Sequence, residues 1–305
     1  MSFTRYRKIF YGFSLTLAVA GVMALALFGV EFGNEFTGGS ILEVEFTATR
    51  PTPDDVRRVL DGLDLGPLTI QPSGERAHLL RFRSVEEAVH QEILTRVKTL
   101  DAEAAERRFE AIGPTIGREL RTISIWTTIV SLIAIFIYLV IAFRNVPRRL
   151  GAHKFAGLVI VTLIHDLAIT AGLLAIIGQF TSLEIGVPVL AAFLVIAGYS
   201  INDTIIVFDR IRERATRAAP GDFSGEIDQA ILTTLRRSLF TSFTTILALI
   251  AILLFGGPTL KTFALTLIVG IVVGTYSSVA IASPLLLTLS RFDARRAVVA
   301  PARGS

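Results

Sequence analysis

The sequence predicts a polytopic α-helical membrane protein of six transmembrane helices, with one extracytoplasmic α+β ferredoxin-like (βαββαβ) domain between helices 1 and 2. Three observations carry that prediction. Hydrophobic residues make up 52% of the 305 and charged residues only 18%, against about 25% charged in a soluble domain. The apolar residues gather into six long runs. Nearly all basic residues outside one polar stretch fall on the same side of those runs. The length alone is that of two soluble domains, but this composition excludes a soluble enzyme, a disordered chain and a fibrous protein. With no cysteine, disulfides, thiolate nucleophiles, iron–sulfur clusters and cysteine zinc sites are excluded too. Four histidines leave little for a histidine metal site, and no metal is expected.

The runs are Phe10–Val30, Ile123–Phe143, Phe155–Ile177, Ile185–Phe208, Ser238–Phe255 and Phe263–Ser290. A helix crosses the hydrocarbon core with roughly 20 apolar residues. Lipid satisfies no backbone polar group, so each run is read as a helix. Outside residues 31–122, basic residues precede the first span (Arg5, Arg7, Lys8). They also fall between the second and third (Arg144, Arg148, Arg149, Lys154), between the fourth and fifth (from Arg210 to Arg237), and after the sixth. Only Lys261 lies opposite. The positive-inside rule places both termini in the cytoplasm. This sidedness accounts for the basic excess, and nucleic-acid binding is not expected. The first run has a basic start and an Ala24-Leu25-Ala26 site, features of a cleaved signal. It is longer than the usual 7–15 residue signal core, and an uncleaved anchor is the preferred reading. The expected division is then 1–30 for the N-terminus and first helix, 31–122 for the extracytoplasmic domain, 123–290 for helices 2–6, and 291–305 for a cytoplasmic tail.

Residues 31–122 hold 17 acids against 12 bases. Ser40–Thr47 alternates around Ile41, Leu42, Val44 and Phe46, a strand pattern. Thr52-Pro53-Asp54-Asp55 has the cap, the proline and the acids of a helix start, and the helix should stop near Gly62. Leu68–Pro72 and Ala77–Ser84 read as strands joined through Ser73-Gly74. Ser84 and Glu87 read as a capping box opening a second helix that runs to about Leu100. Ala105–Ile112 is a weaker last strand. The order βαββαβ is that of a split βαβ unit. No cluster of histidines and acids in it points to catalysis, so a folded spacer or binding module is expected.

An ionisable residue inside a span is a functional candidate. His165-Asp166 lies about 16 Å along the third span, with Thr162, Asp166 and Thr170 sharing a face. Asp203 in the fourth span lies roughly 9 Å inside the charge layer that begins at Asp209, with Tyr199 and Ser200 on its face. In the fifth, Arg237, Thr241, Thr244 and Thr245 share a face. Three polar stripes able to face one another supply two carboxylates, a guanidinium and hydroxyls. Burial favours a neutral acid and a nearby guanidinium favours the carboxylate, so movement of Arg237 would load and unload an aspartate. Two readings stay open: a proton relay, and an interhelical ion pair that serves assembly. Gly270 and Gly274 form a GxxxG, a weak sign of close helix packing. Asp209–Arg237 reads as a connector with room for an interfacial helix.

Gly198-Tyr199-Ser200-Ile201-Asn202-Asp203-Thr204, continuing to Glu213, resembles the signature of the SecF family, smaller subunits of SecDF protein-export complexes in the resistance–nodulation–division (RND) superfamily. Phe36-Thr37-Gly38-Gly39, Gly113-Pro114-Thr115-Ile116-Gly117, His165-Asp166, Thr234-Leu235-Arg236-Arg237-Ser238 and Phe255-Gly256-Gly257 follow the family's order. Glu35 stands where the family usually has Asp, keeping the charge. The resemblance covers about residues 5–290. It implies half of an RND-type twelve-helix unit, completed by SecD in the cytoplasmic (inner) membrane. It implies work beside the SecYEG channel and SecA, using the proton-motive force to pull or release unfolded preprotein on the far side. That role needs no ATPase of its own and no cofactor beyond the proton gradient. By position Asp203 matches the family's proton-carrying Asp and Arg237 its functional Arg. Asp166 and His165 match motif positions and are counted with Asp203 and Arg237 in the proton relay, with Asn202, Thr204, Thr241 and Tyr199 as supporting polar groups. A scaffold for SecD and the channel, and half of an RND exporter of small molecules or lipids, are the alternatives.

Overall fold

The structure is a computed structural model that describes residues 2–47, 49–144, 152–181, 183–217 and 223–290. The expected tail 291–305, Arg148 and Arg149 lie outside the described residues. In chain order the elements are α1 (Arg7–Phe28), α2 (Asn34–Thr37), β1 (Gly39–Glu45), α3 (Pro53–Val59), β2 (Thr69–Ser73), β3 (Ala77–Phe82), α4 (Glu87–Val97) and β4 (Ala105–Ile112). Then come α5 (Pro114–Ala142), α6 (Ala152–Phe180), α7 (Val187–Arg217), α8 (Phe223–Phe255), α9 (Pro258–Ser277) and a π-helical turn over Ser278–Ala282. The chain divides into two compact units, one of Glu31–Thr127 with Ser182–Val187, the other holding the apolar helices.

The first unit has an antiparallel sheet in the order β2-β3-β1-β4. That order places β2 and β4 at the edges and β1 and β3 at the centre. Leu42 faces Leu80 on one side and Phe109 on the other. The alternation read from the sequence holds: Leu42, Val44 and Phe46 are buried with Leu80, Phe82, Val56, Ile93 and Val97. Each such side chain contributes about 1.5–3 kcal/mol on burial. Thr52 caps α3, its hydroxyl accepting from Asp55 N while the Asp55 carboxylate accepts from Thr52 N. α2 ends at Gly38, whose φ of 75° suits glycine. A Cβ there would lie 2.9 Å from Pro114 Cα, at the start of α5.

The start of α4 corrects the sequence reading. Its N-cap is Glu86, in extended backbone and without a side-chain cap bond, and Ser84 lies outside the helix. Glu87 does not reach back to close a capping box; its carboxylate accepts instead from Gln91 Nε2 at 2.6 Å and meets His90 Nδ1 at 3.2 Å.

In the helical unit, six helices are long and apolar enough to cross a membrane. Several ends differ from the apolar runs. α5 begins at Pro114. α7 begins at Val187, with Ile185 in the α+β unit. α7 continues to Arg217, and α8 starts at Phe223. The expected 209–237 connector is therefore mostly helix. The buried Ile211, Ile227, Ala230 and Ile231 hold it to the core. Phe143, Phe155 and Phe208 pack there in tilted and edge-to-face pairs with ring centroids 5.0–6.4 Å apart. α1 and α6 meet through glycines: a Cβ on Gly21 would lie 2.9 Å from Ala168 O, and one on Gly172 would overlap the Gly21 backbone. The GxxxG of α9 is likewise filled by α7, Gly270 against Ile196 and Gly274 against Ser200.

Candidate functional site

Asp166 is fully buried. Its Oδ2 accepts from Ser200 Oγ of α7 at 2.6 Å and from Ser277 Oγ of α9 at 2.7 Å. Its Oδ1 lies 2.9 Å from His165 Nδ1, and the other ring nitrogen of His165 pairs with the Ser14 hydroxyl of α1. In a neutral imidazole, a proton on Nδ1 serves the carboxylate and leaves Nε2 to accept from Ser14. One carboxylate thus gathers groups from α1, α6, α7 and α9. Thr162 and Thr170 are buried beside it, as the spacing of four predicts. Their hydroxyls bond to Leu158 O and Asp166 O, within α6.

Asp203 lies one turn beyond Ser200 on α7 and is 2% exposed. Its surroundings are the reverse of those of Asp166. Asp203 Oδ2 is buried with no hydrogen bond of good geometry among the described residues, and neither has Ser238 Oγ, although the Ser238 hydroxyl on the neighbouring α8 lies close enough to the Asp203 carboxyl to interact with it. Arg237 is near enough for its charge to be felt at Asp203, yet its side chain is exposed. It lines a cavity of about 600 Å³ with Asp209, Arg210, Glu213 and Thr234. A buried acid with a free oxygen, a neighbouring hydroxyl and a guanidinium in an open cavity can take up and release a proton without breaking a hydrogen-bond network.

The supporting residues divide. Thr204 is buried and bonds to Ser200 O. Tyr199 is half-buried, and its hydroxyl donates to Ser242 Oγ at 3.3 Å, which sits 2.6 Å from Thr275 Oγ1. Asn202 and Thr241 are exposed, and the Thr241 hydroxyl turns back to Arg237 O and Ser238 O. The inward stripe of α8 is Thr234, Ser238 and Ser242, offset from the Arg237–Thr241 face read from the sequence. Ser14, Ser277 and Thr275 went unnoticed in the sequence. The Ser277-Ser278 pair in an otherwise apolar run was the available signal, and the π-turn begins there, a feature frequent at functional sites.

The comparisons with known proteins agree on one relationship. A family model described as the C-terminal part of the protein export membrane protein SecD/SecF matches residues 92–292, and one for the SecD/SecF GG motif matches residues 24–49. The chain is 33% identical to the protein translocase subunit SecF of Anaerolinea thermophila, over 92% of this chain and 91% of that one. It is 35% identical to SecF of Vibrio alginolyticus, over 95% and 90%. It is also similar to the crystal structure of SecDF, a translocon-associated membrane protein of Thermus thermophilus, with a TM-score of 0.82 and 31% identity over 95% of this chain. It spans 39% of that longer chain.

Proposed function

Because this chain belongs to the SecF family of protein-export membrane proteins, we propose that it is a non-enzymatic subunit of the Sec preprotein translocase accessory complex. In this reading it pairs with SecD in the cytoplasmic membrane, both termini in the cytoplasm and the α+β unit outside. Together they use the proton-motive force, beside SecYEG and after SecA, to promote translocation of unfolded preprotein. Asp203 carries the proton. The observation behind this assignment is its buried, unpartnered Oδ2. An ionised carboxylate held there lacks the donor that burial demands, and protonation removes the charge. Ser238 is placed to hand the proton on, and Arg237 to stabilise the anion when it approaches. Asp166, with His165, Ser200 and Ser277, stays fully bonded and holds the helices around the carrier.

The test is Asp203→Asn in the full chain, co-assembled with SecD and the channel in proteoliposomes under an imposed proton gradient. Gradient-driven export should fall to the level seen without a gradient, with SecD still co-purifying. Gradient-driven export at the unmutated rate overturns the assignment of Asp203. Loss of SecD from the complex supports the scaffold reading instead.

A further inference from the structure

The connection between α6 and α7 is held as part of the α+β unit. Ile185 N donates to Glu31 O at 2.7 Å and Gly33 N to Ile185 O at 3.0 Å, a parallel bridge between Phe32 and Ile185. Ile185 is buried. Its neighbour Glu184 forms an ion pair with Arg81 of β3, and the two side chains are 15% and 17% exposed. Glu35 of α2 stands behind them. Its charge, with that of Glu31, acts on Arg81 and opposes the lowering of the guanidinium pKa that burial causes and that Arg108 adds to. A Cβ on Gly186 would come within 3.0 Å of Glu35 Oε1. Backbone bridge, ion pair and glycine all fix the same few residues.

A dehydrated ion pair stabilises a fold less well than an apolar pair of the same size. Its use here, where Ile185 already supplies apolar burial, favours placement over stability. What it places is covalently plain: α7 begins at Val187, and Asp203 follows about 24 Å along the same helix. We propose that Arg81 and Glu184, backed by Glu35, form an ionic clasp on the α6–α7 connection and are positioning residues for Asp203. The α+β unit then bears on the proton carrier through the helix it holds at one end, and the charge at position 35 has a task. The inference rests on Asp203 carrying the proton.

The experiment uses the full chain with SecD in proteoliposomes and two readouts. Hydrogen exchange over 183–187 reports the clasp, and the pH profile of gradient-driven export reports the carrier. Glu184→Gln should speed exchange over 183–187 at least tenfold and displace the pH profile. Arg81→Glu and Glu184→Arg should each do the same, and the double swap should restore both readouts. Unchanged exchange in Glu184→Gln overturns the clasp. Faster exchange with an unmoved pH profile overturns its action on Asp203. If Arg81→Glu does not accumulate, Glu184→Gln alone decides both points. A failed carrier assignment is recognised separately, because Asp203→Asn would then export normally while the exchange readout still reports the clasp.

Discussion

Asp166 receives hydrogen bonds from two serines and meets a histidine, while Asp203, one turn past one of those serines, has an oxygen without a hydrogen bond among the described residues. Substitution should separate them. Ser277→Ala removes a charge-assisted bond to a buried carboxylate, worth about 1.5–3 kcal/mol, and should lower the melting temperature of the purified protein. Asp203→Asn breaks no hydrogen bond at Oδ2 and should leave the melting temperature unchanged or raised. The acids themselves were legible in the sequence, because a charge in an apolar run stands out. Of the serines that bind Asp166, Ser200 reads in the sequence as a neighbour of Asp203 and Ser277 does not stand out. A serine in a spanning helix satisfies itself on a carbonyl of the preceding turn, as Thr204 and Thr241 do here. Only the neighbouring helices decide which hydroxyls turn inward, and on α8 they selected Ser238 and Ser242 over Thr241.

Elements show the same division between local and distant causes. The α3 start was legible because cap, proline and acids act within four residues. Thr52→Ala should destabilise the α+β unit by about 1 kcal/mol, read as faster hydrogen exchange over α3. The Thr52 hydroxyl, with help from Arg58, holds the Asp55 carboxyl below its ordinary value of 3.8. A depressed value stabilises the fold above the unfolded pKa and is lost as pH falls through the carboxylate range. Protection of α3 should therefore decline on acidification toward and below pH 4, and Asp55→Asn should flatten that decline. The start of α4 was misread because Glu87 had a nearer partner in Gln91. The long ends of α7 and α8 were missed for another reason. Hydropathy finds the part of a helix that lies in lipid, whereas these turns are charged and held by i,i+3 pairs such as Arg210–Glu213 and Arg212–Asp209. Between helices, Gly172→Leu should prevent the α1–α6 approach and reduce the yield of folded protein, whereas Gly12→Leu, where a Cβ meets nothing within 4 Å, should be tolerated.

At the scale of the whole molecule, six spans and a βαββαβ insertion follow from periodicity and order. The seat of 183–187 on the α+β unit does not, since a two-bond bridge between segments so far apart in the chain leaves no local pattern. Sidedness rests on basic residues and is open to direct measurement. The chain has no cysteine, so single cysteines read without background. One at Glu75, in the exposed turn after β2, should react with a membrane-impermeant maleimide on intact spheroplasts. One at Gln229, exposed on α8, should react only after the membrane is opened. The reverse pattern would invert the topology.

The π-turn at Ser278–Ala282 lies between α9 and a resumed α-helix over 283–290. Such a turn carries one residue more than regular α-helix needs. Deleting one residue from a spanning helix ordinarily rotates everything beyond it by about 100° and turns its buried face to lipid. Deleting Ala280 should instead let the backbone close into plain α-helix, with Leu286 and Leu287 still facing inward. The last span thus contains a spare residue, and the protein should insert and fold without it, while the same deletion at Ile271 should abolish folding.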